Sequence, residues 1–118
     1  MKDLDDIKTR LQAFAKDRDW DQFHSPKNLS MALSVEVAEL VEYFQWLTEA
    51  QSRQIDDKTL AEVADEIADI QVYLIRLADK LGVDILATVN EKIKKNEAKY
   101  PVAKVKGSSK KYTEYDNE

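Results

Sequence analysis

Two glutamates, Glu36 and Glu39, lie in a stretch whose apolar residues recur at helical spacing. On a helical wheel at about 100° per residue, Glu36 falls near the middle of a broad apolar arc, and Glu39 lies on the same side one turn further on. Glu42 points to the opposite, polar side. The arc is formed by Leu29, Ala32, Leu33, Val37, Leu40, Tyr43, Phe44 and Leu47. Two carboxylates are therefore predicted to face the protein core.

A carboxylate that faces the core needs a compensating group, because its removal from water costs several kcal/mol after relaxation. Two such costs would consume much of a domain stability of about 5–15 kcal/mol. Protonation, a basic side chain from elsewhere and a bound cation are the candidates, and this helix has no basic residue beyond its first turn. Glutamates at i and i+3 converge on one point and suit a hard cation with oxygen ligands. Metal binding is favoured, with buried ion pairing as the open alternative.

A second acidic helix follows further along the chain. One polar arc holds Glu62, Asp65, Glu66, Asp69, Tyr73, Arg76 and Lys80. Two overlapping E-x-x-D patterns occur in it, one beginning at Glu62 and the other at Glu66, and periodicity does not choose between them. A solvated helix face would show the same pattern. The first pair of glutamates nevertheless favours further ligands from a facing helix, and this helix is the acidic one.

The composition predicts the fold class and excludes several classes of function. A chain of 118 residues with 2 Gly, 2 Pro and 35% charged residues is expected to form one all-α domain. A net charge of -5 gives no general attraction to nucleic acid or anionic lipid, so neither a nucleic-acid polymer nor a membrane is an expected partner. The sequence has no cysteine, its charged start is unlike a signal peptide, and no apolar run is long enough to span a membrane. A cytoplasmic location is expected.

Four long helices are predicted to position these carboxylates, over about 3–17, 26–46, 58–81 and 85–99. Their boundaries are indicated by N-cap, capping-box and C-cap signals at Ser25-Pro26, Thr48 with Gln51, Gly82, and Asp84. Four helices with short connections favour an antiparallel four-helix bundle. Residues 1–102 are predicted to form the helical domain and residues 103–118 a polar C-terminal tail.

The acidic motifs occur together with further segments in a fixed order. These are Asp19–His24, Phe44–Trp46, Tyr73–Leu74, the run of Lys92, Asn96, Tyr100 and Pro101, and Ser108–Glu114. With E-x-x-E at Glu36–Glu39 and E-x-x-D at Glu66–Asp69, they resemble the all-α nucleoside triphosphate pyrophosphohydrolases of the MazG-like family over nearly the whole chain. The resemblance implies that Glu36, Glu39, Glu66 and Asp69 bind Mg²⁺, and that Glu62 and Asp65 are surface residues.

The same resemblance implies a nucleoside pocket lined by Trp20, Phe23, His24, Trp46 and Tyr73. Without the family, periodicity favours Trp46 and Phe23 as core aromatic residues, and His24 could be a surface residue at a helix start. Lys92 and Asn96, at i and i+4 on the last long helix, would bind one phosphate chain together, with a solvated face as the alternative. Leu11 stands where cytosine-specific members of the family carry a histidine, so a strict preference for cytosine is not implied.

The activity implied by the family is hydrolysis of a (deoxy)nucleoside triphosphate, dCTP-like or modified, to the monophosphate and pyrophosphate. Such phosphoryl chemistry depends on positioning and charge neutralisation. Glu39 is predicted to orient the attacking water and Lys92 to offset the developing charge. The alternative is a non-enzymatic helical adaptor whose buried acids form structural ion pairs. One bundle of this size has difficulty enclosing a base and a triphosphate, so a homodimer or homotetramer is expected.

Overall fold

The computed structural model describes residues 3–107, which are all-α and contain no strand. A 3₁₀ helix, Asp21–Phe23, lies between the first two α-helices. The α-helices are α1 (Leu4–Asp17), α2 (Pro26–Glu42), α3 (Glu49–Ser52), α4 (Asp57–Leu81), α5 (Ile85–Lys99) and α6 (Val102–Val105). The predicted all-α class and the three helices over 3–17, 58–81 and 85–99 are confirmed to within one residue at each end.

The predicted boundary residues act as caps. The Ser25 hydroxyl accepts a hydrogen bond from the Asn28 amide at 3.1 Å, and Pro26 occupies the first turn of α2. The Asp84 carboxylate accepts from the Ala87 amide at 3.0 Å. Gly82 ends α4 with φ 70°, a left-handed conformation that favours glycine. Each cap satisfies backbone groups that a helix end leaves without a partner, which is why the sequence predicted these boundaries well.

Thr48 and Gln51 form the capping box that their spacing predicts. The Thr48 amide donates to the Gln51 side chain at 2.9 Å, and the Gln51 amide donates to the Thr48 hydroxyl at 3.1 Å. The result is the single helical turn α3.

The end of α2 was predicted wrongly, because the helix stops at Glu42 and not near Trp46. Beyond Glu42 the backbone tightens into turns: the Tyr43 amide donates to the Leu40 carbonyl at 3.2 Å, and the Phe44 amide to the Val41 carbonyl at 2.9 Å. No glycine or proline marks this change in the sequence. The predicted helical register therefore does not apply to the residues after Tyr43, whose own backbone is still α-helical.

The packing of residues 3–83 centres on α4, which contacts α2 along much of its length and α1 over a shorter stretch. The fully apolar core is small and consists of Ala15, Leu29, Val63, Ile75 and Ala78. Burial of one leucine contributes roughly 1.5–3 kcal/mol. The α2–α4 contact thus fixes the two helices that carry the acidic motifs.

The chain divides into two compact units that part between Val83 and Asp84. The first contains α1 to α4, and the second contains α5 and α6. The short helix α6 crosses the predicted boundary between residues 102 and 103. The tail segment Ser108–Glu114 lies outside the described residues. The single domain and the intrachain four-helix bundle stay predictions. Across residues 3–107, no helix has the length and apolar character needed to cross a membrane.

Candidate active site

Three of the four predicted metal ligands meet between α2 and α4. Glu36, Glu39 and Glu66 each offer a carboxylate oxygen, and these oxygens all lie within 4.8 Å of one another. Glu36 and Glu39 are one turn apart on α2, so both face the helix that packs beside them. We call these three residues the glutamate cluster.

Two oxygens of the glutamate cluster are buried without a partner. Glu36 Oε2 and Glu66 Oε2 have no hydrogen-bond donor. Within residues 3–107, none of the salt bridges reaches the cluster, so the alternative of buried ion pairing gains no support there. Ionised carboxylates only accept hydrogen bonds, and an unpartnered buried one is costly. Three carboxylates with two unpartnered oxygens fit a hard divalent cation.

The crowding of carboxylates in the metal-free cluster favours the protonated form of Glu66. The pKa of Glu66 is raised from 4.5 to about 7, first by its hydrogen bond to Glu36, then by burial and by Glu39. At Glu36 the hydrogen bond from Glu66 lowers the pKa. Burial, Glu39 and the charge of Asp69 raise the pKa by more than this, so the net shift is upward. Like charges crowded at one point disfavour ionisation, and a cation would reverse this effect.

Asp69 lies one turn beyond Glu66 on α4, is exposed, and is outside the glutamate cluster. Its charge nevertheless contributes to the raised pKa of Glu36. Its assignment as the fourth ligand stays a prediction. Glu62 and Asp65, the competing E-x-x-D pair, are both exposed. Glu66, and not Glu62, thus reaches the glutamates of α2.

Tyr43 is a neighbour of the cluster that the sequence analysis placed in the apolar arc. Its pKa is raised by burial and then by the charges of Glu62 and Glu66, by a hydrogen bond with Glu62, and by Glu39. The phenol therefore lies among the acids. The available signal was its spacing, at i+7 from Glu36 and i+4 from Glu39, which continues the same helix stripe.

The segment between α1 and α2 brings together part of the predicted nucleoside pocket. The Trp20 ring lies 6.4 Å from the ring of His24 and packs edge-on against Phe14 at 5.6 Å. Phe23 is exposed. Within the described part of the chain, no ring contact joins Trp46 or Tyr73 to this group; Trp46 is 86% exposed and Tyr73 is half-buried. The pocket as a whole stays a prediction.

A buried arginine on α4 anchors this segment, and its burial is not predicted from the sequence. Arg76 is 3% exposed and donates to Asp21 Oδ1 at 2.7 Å, and its other guanidinium nitrogen lies 3.6 Å from Asp79. The hydrogen bonds from Arg76 and then Lys80 lower the pKa of Asp21. Arg76 falls in the polar arc of α4, where periodicity does not distinguish a buried polar network from a solvated face. An open cavity of about 570 Å³ between α1 and α4 borders Arg76 and includes no residue of the glutamate cluster.

Three further residues of the sequence prediction lie on α5 and α1. Lys92 and Asn96 are both exposed on α5, one turn apart, within the second compact unit. Leu11 is half-buried on α1. The predicted phosphate contact of Lys92 and Asn96 stays a prediction.

Comparison with known proteins assigns the family. Residues 31–115 match the MazG-like family. Over 113 residues the chain is 41% identical to dCTP pyrophosphatase 1 of Rattus norvegicus and 40% identical to that of Homo sapiens, covering 94% of this chain and 66% of each relative. It thus spans about two thirds of the length of these relatives. The crystal structure of a pyrophosphatase from Archaeoglobus fulgidus DSM 4304 superimposes with a TM-score of 0.78 at 38% identity, covering 82% of this chain and 91% of that one. The chain belongs to the MazG-like family.

Proposed function

We propose that this chain is a Mg²⁺-dependent nucleotide pyrophosphohydrolase that converts a (deoxy)nucleoside triphosphate to the monophosphate and pyrophosphate. The observation that carries the proposal is the glutamate cluster, with three carboxylates within 4.8 Å and two buried oxygens that lack a partner. Membership of the MazG-like family and the likeness to pyrophosphatases support the same chemistry.

In this proposal Glu36, Glu39, Glu66 and Asp69 hold the metal. Bound Mg²⁺ neutralises phosphate charge and lowers the pKa of a bound water. Glu39 orients the attacking water, while Lys92 offsets negative charge on the phosphates and Asn96 binds the same phosphate chain. Mg²⁺ usually keeps several waters and shares its shell with substrate phosphates, which suits a ligand set drawn from only two helices.

The nucleoside is proposed to bind against aromatic side chains, with Trp20, Phe23, His24, Trp46 and Tyr73 enclosing it. A dCTP-like or modified deoxynucleotide is the favoured substrate class, since the relatives are named dCTP pyrophosphatases. Leu11 departs from the cytosine-specific pattern, so base preference is expected to be broader. We also propose, from the composition of the chain, that the protein acts in the cytoplasm.

The test is pyrophosphate release from a panel of canonical and modified deoxynucleotides, with Mg²⁺ or with EDTA. Glu66→Gln is compared with Asp65→Asn, which removes one charge from the same helix outside the cluster. Loss of a residue that merely supports a ligand already costs 10–100-fold, so Glu66→Gln is expected to lower kcat/KM about 100-fold or more. Asp65→Asn is expected to keep wild-type activity. Pyrophosphate release in EDTA, or equal activity of the two variants, would contradict the proposal.

The rival function, a helical adaptor, predicts a different result. If wild-type protein releases no pyrophosphate from any nucleotide and its melting temperature does not rise in millimolar Mg²⁺, the adaptor is favoured. A cation that binds only the folded state raises stability by mass action, by about 2.7 kcal/mol at 100 times its Kd.

We also propose that the chain assembles into a homodimer or homotetramer through α4. An exposed, uncharged stripe runs along this helix at steps of four and three residues, formed by Leu60, Ala64, Ile67, Gln71 and Leu74. Its large apolar side chains are exposed: Leu60 by 53%, Ile67 by 50% and Leu74 by 38%. The stripe extends about 21 Å at 1.5 Å per residue. Steps of four and three residues are those of helices that pack side by side in a coiled coil.

Sedimentation of the wild type and of an Ile67→Lys, Leu74→Lys double variant tests the assembly. The double variant is expected to be monomeric, because a charge on the stripe would be buried without a partner. Asp65→Lys places a lysine on another side of α4 and is expected to leave the oligomer intact. A monomeric wild type, or an oligomeric double variant, would contradict the assignment of this surface.

A further inference from the structure

The segment between α1 and α2 has little structure of its own. It contains one turn of 3₁₀ helix, and Asp19 is held at φ 56°, which is uncommon for a residue with a side chain. The Trp20 amide donates to the Ala15 carbonyl at 2.9 Å, which ties the segment to the end of α1. The His24 amide donates to the Asp21 carbonyl at 3.2 Å, so its backbone is held locally, whereas the orientation of its ring depends on a side-chain contact from outside the segment.

Arg76 supplies that contact from α4. One of its nitrogens, Nη2, lies 2.7 Å from Asp21 Oδ1 and 3.2 Å from His24 Nδ1. Asp79, whose carboxylate lies 3.6 Å from the other terminal nitrogen, accepts a hydrogen bond from Gln12 of α1 at 2.8 Å. A guanidinium held by two acids and 3% exposed has one orientation. Arg76 is therefore a fixed hydrogen-bond donor facing the imidazole of His24.

A guanidinium has five N–H donors, no acceptor, and stays protonated in proteins. If Arg76 bonds to His24 Nδ1, then Nδ1 must be the acceptor and must carry a lone pair. The ring proton of neutral His24 is then on Nε2, which is the nitrogen directed away from Arg76. A doubly protonated ring would turn an N–H toward the N–H of Arg76 at 3.2 Å, which is repulsive.

We propose that Arg76 is a positioning residue that fixes the tautomer of His24, so that His24 presents Nε2–H as a hydrogen-bond donor to an acceptor atom of the bound nucleoside. The assignment of a nucleoside to this site rests on the proposed function. A base carbonyl or an unprotonated ring nitrogen fits such a donor. An exocyclic amino group, which only donates, does not.

The charges around His24 agree with a neutral ring at pH 7. Burial lowers its pKa below 6.5, and the positive charge of Arg76 lowers it further. Asp21 acts in the opposite direction, and Lys80 adds a smaller lowering effect. Asp21 is itself bound by both Arg76 and Lys80, at 2.7 and 3.2 Å, so its charge is largely offset.

The sequence contains one histidine, so ¹⁵N-labelled histidine gives a single pair of ring-nitrogen signals. These signals distinguish the two neutral tautomers and the protonated ring without any nucleotide or activity. Wild-type protein is expected to show the Nε2–H tautomer between pH 6.5 and 8 as about nine-tenths or more of the population, since one hydrogen bond is equivalent to about a tenfold preference. The Nδ1–H tautomer in the wild type would overturn the proposal.

Two variants distinguish the effect of the Arg76 hydrogen bond on the His24 tautomer from the effect of a nearby positive charge. Arg76→Met is expected to give mixed tautomers and to raise the pKa of His24 toward 6.5. Lys80→Met removes the neighbouring charge, which touches Asp21 but not His24, and is expected to leave the tautomer unchanged. An unchanged tautomer in folded Arg76→Met would refute the role. If Arg76→Met does not fold, the Nδ1–H tautomer in the wild-type spectrum would still refute the proposal.

Activity gives an independent comparison. His24→Phe is expected to raise KM for the preferred nucleotide about tenfold at nearly constant kcat, the loss of one uncharged hydrogen bond. An unchanged KM with the predicted tautomer would overturn the substrate contact. Wild-type protein that releases no pyrophosphate, yet shows the Nε2–H tautomer, would contradict the proposed function and leave the role of Arg76 in fixing the ring intact.

Discussion

Replacement of Glu66 by glutamine is expected to stabilise the metal-free protein at alkaline pH while abolishing Mg²⁺ binding. In the absence of metal, the three carboxylates of the glutamate cluster repel one another, and Glu66 relieves this by holding a proton with a pKa of about 7 against an ordinary value of 4.5. Glutamine has nearly the same shape and supplies N–H donors to Glu36 at every pH.

The sign follows from the number of protons bound in each state. Between pH 4.5 and about 7 the folded protein retains the proton on Glu66, whereas the unfolded chain has lost it. Stability of the metal-free wild type therefore falls as pH rises through this interval and levels off above it. At pH 6 about nine-tenths of folded molecules hold the proton, and at pH 8 about one tenth do. The advantage of Glu66→Gln should thus grow from about pH 4.5 and reach its full size by about pH 8.

The assay is the melting temperature of wild type and Glu66→Gln in EDTA from pH 4.5 to 9. Subtraction of one melting temperature from the other at each pH removes the contribution of His24, because its lowered pKa affects the stability of both proteins equally. Asp65→Asn serves as the matched control, with an expected curve parallel to the wild type. Addition of Mg²⁺ at pH 8 should raise the melting temperature of the wild type and not of Glu66→Gln. A variant that is less stable than wild type in EDTA at pH 8 would refute the reasoning.

Three further predictions concern the scaffold. Leu29→Ala should destabilise the protein by about 3 kcal/mol in urea unfolding, because Leu29 is 2% exposed and the cavity cannot fully collapse. Leu29→Met should cost under about 1.5 kcal/mol, and equal losses for the two variants would contradict the prediction. Gly82→Ala should cost about 1 kcal/mol through its left-handed backbone alone, since an added Cβ meets nothing within 4 Å, and a loss several times larger would point to a clash. Thr48→Ala should remove about 1 kcal/mol of helix-capping free energy and speed hydrogen exchange at the Gln51 amide, which donates to the Thr48 hydroxyl. An unchanged exchange rate at this amide would contradict the prediction.

The sequence predicted what local physics determines. Ser25 and Asp84 are caps because each supplies an oxygen to a helix start, and Gly82 ends α4 because a side chain resists a positive φ. The convergence of Glu36 and Glu39 was also predicted from the sequence, since residues at i and i+3 share a face whatever the helix packs against.

Tertiary contacts account for what was missed. The end of α2 at Glu42 is produced by turns without glycine or proline, and Tyr43 lies beside acids that α4 contributes. Arg76 is buried where Asp79 and Asp21, which lies 55 residues earlier in the chain, meet its guanidinium. A polar arc has the same periodicity whether it faces solvent or a charged partner, so a helical wheel does not distinguish a solvated face from a buried polar one.

The short separation of the glutamates along the chain bears on how the protein folds. Helices α2 and α4 are consecutive long helices, so closing the contact between Glu36 and Glu66 orders a loop of only some thirty residues, a local event of low entropic cost. Contacts of this kind form rapidly in helical proteins. We therefore expect the folding rate, as well as the final stability, to depend on whether a proton or a cation is present when the two helices meet.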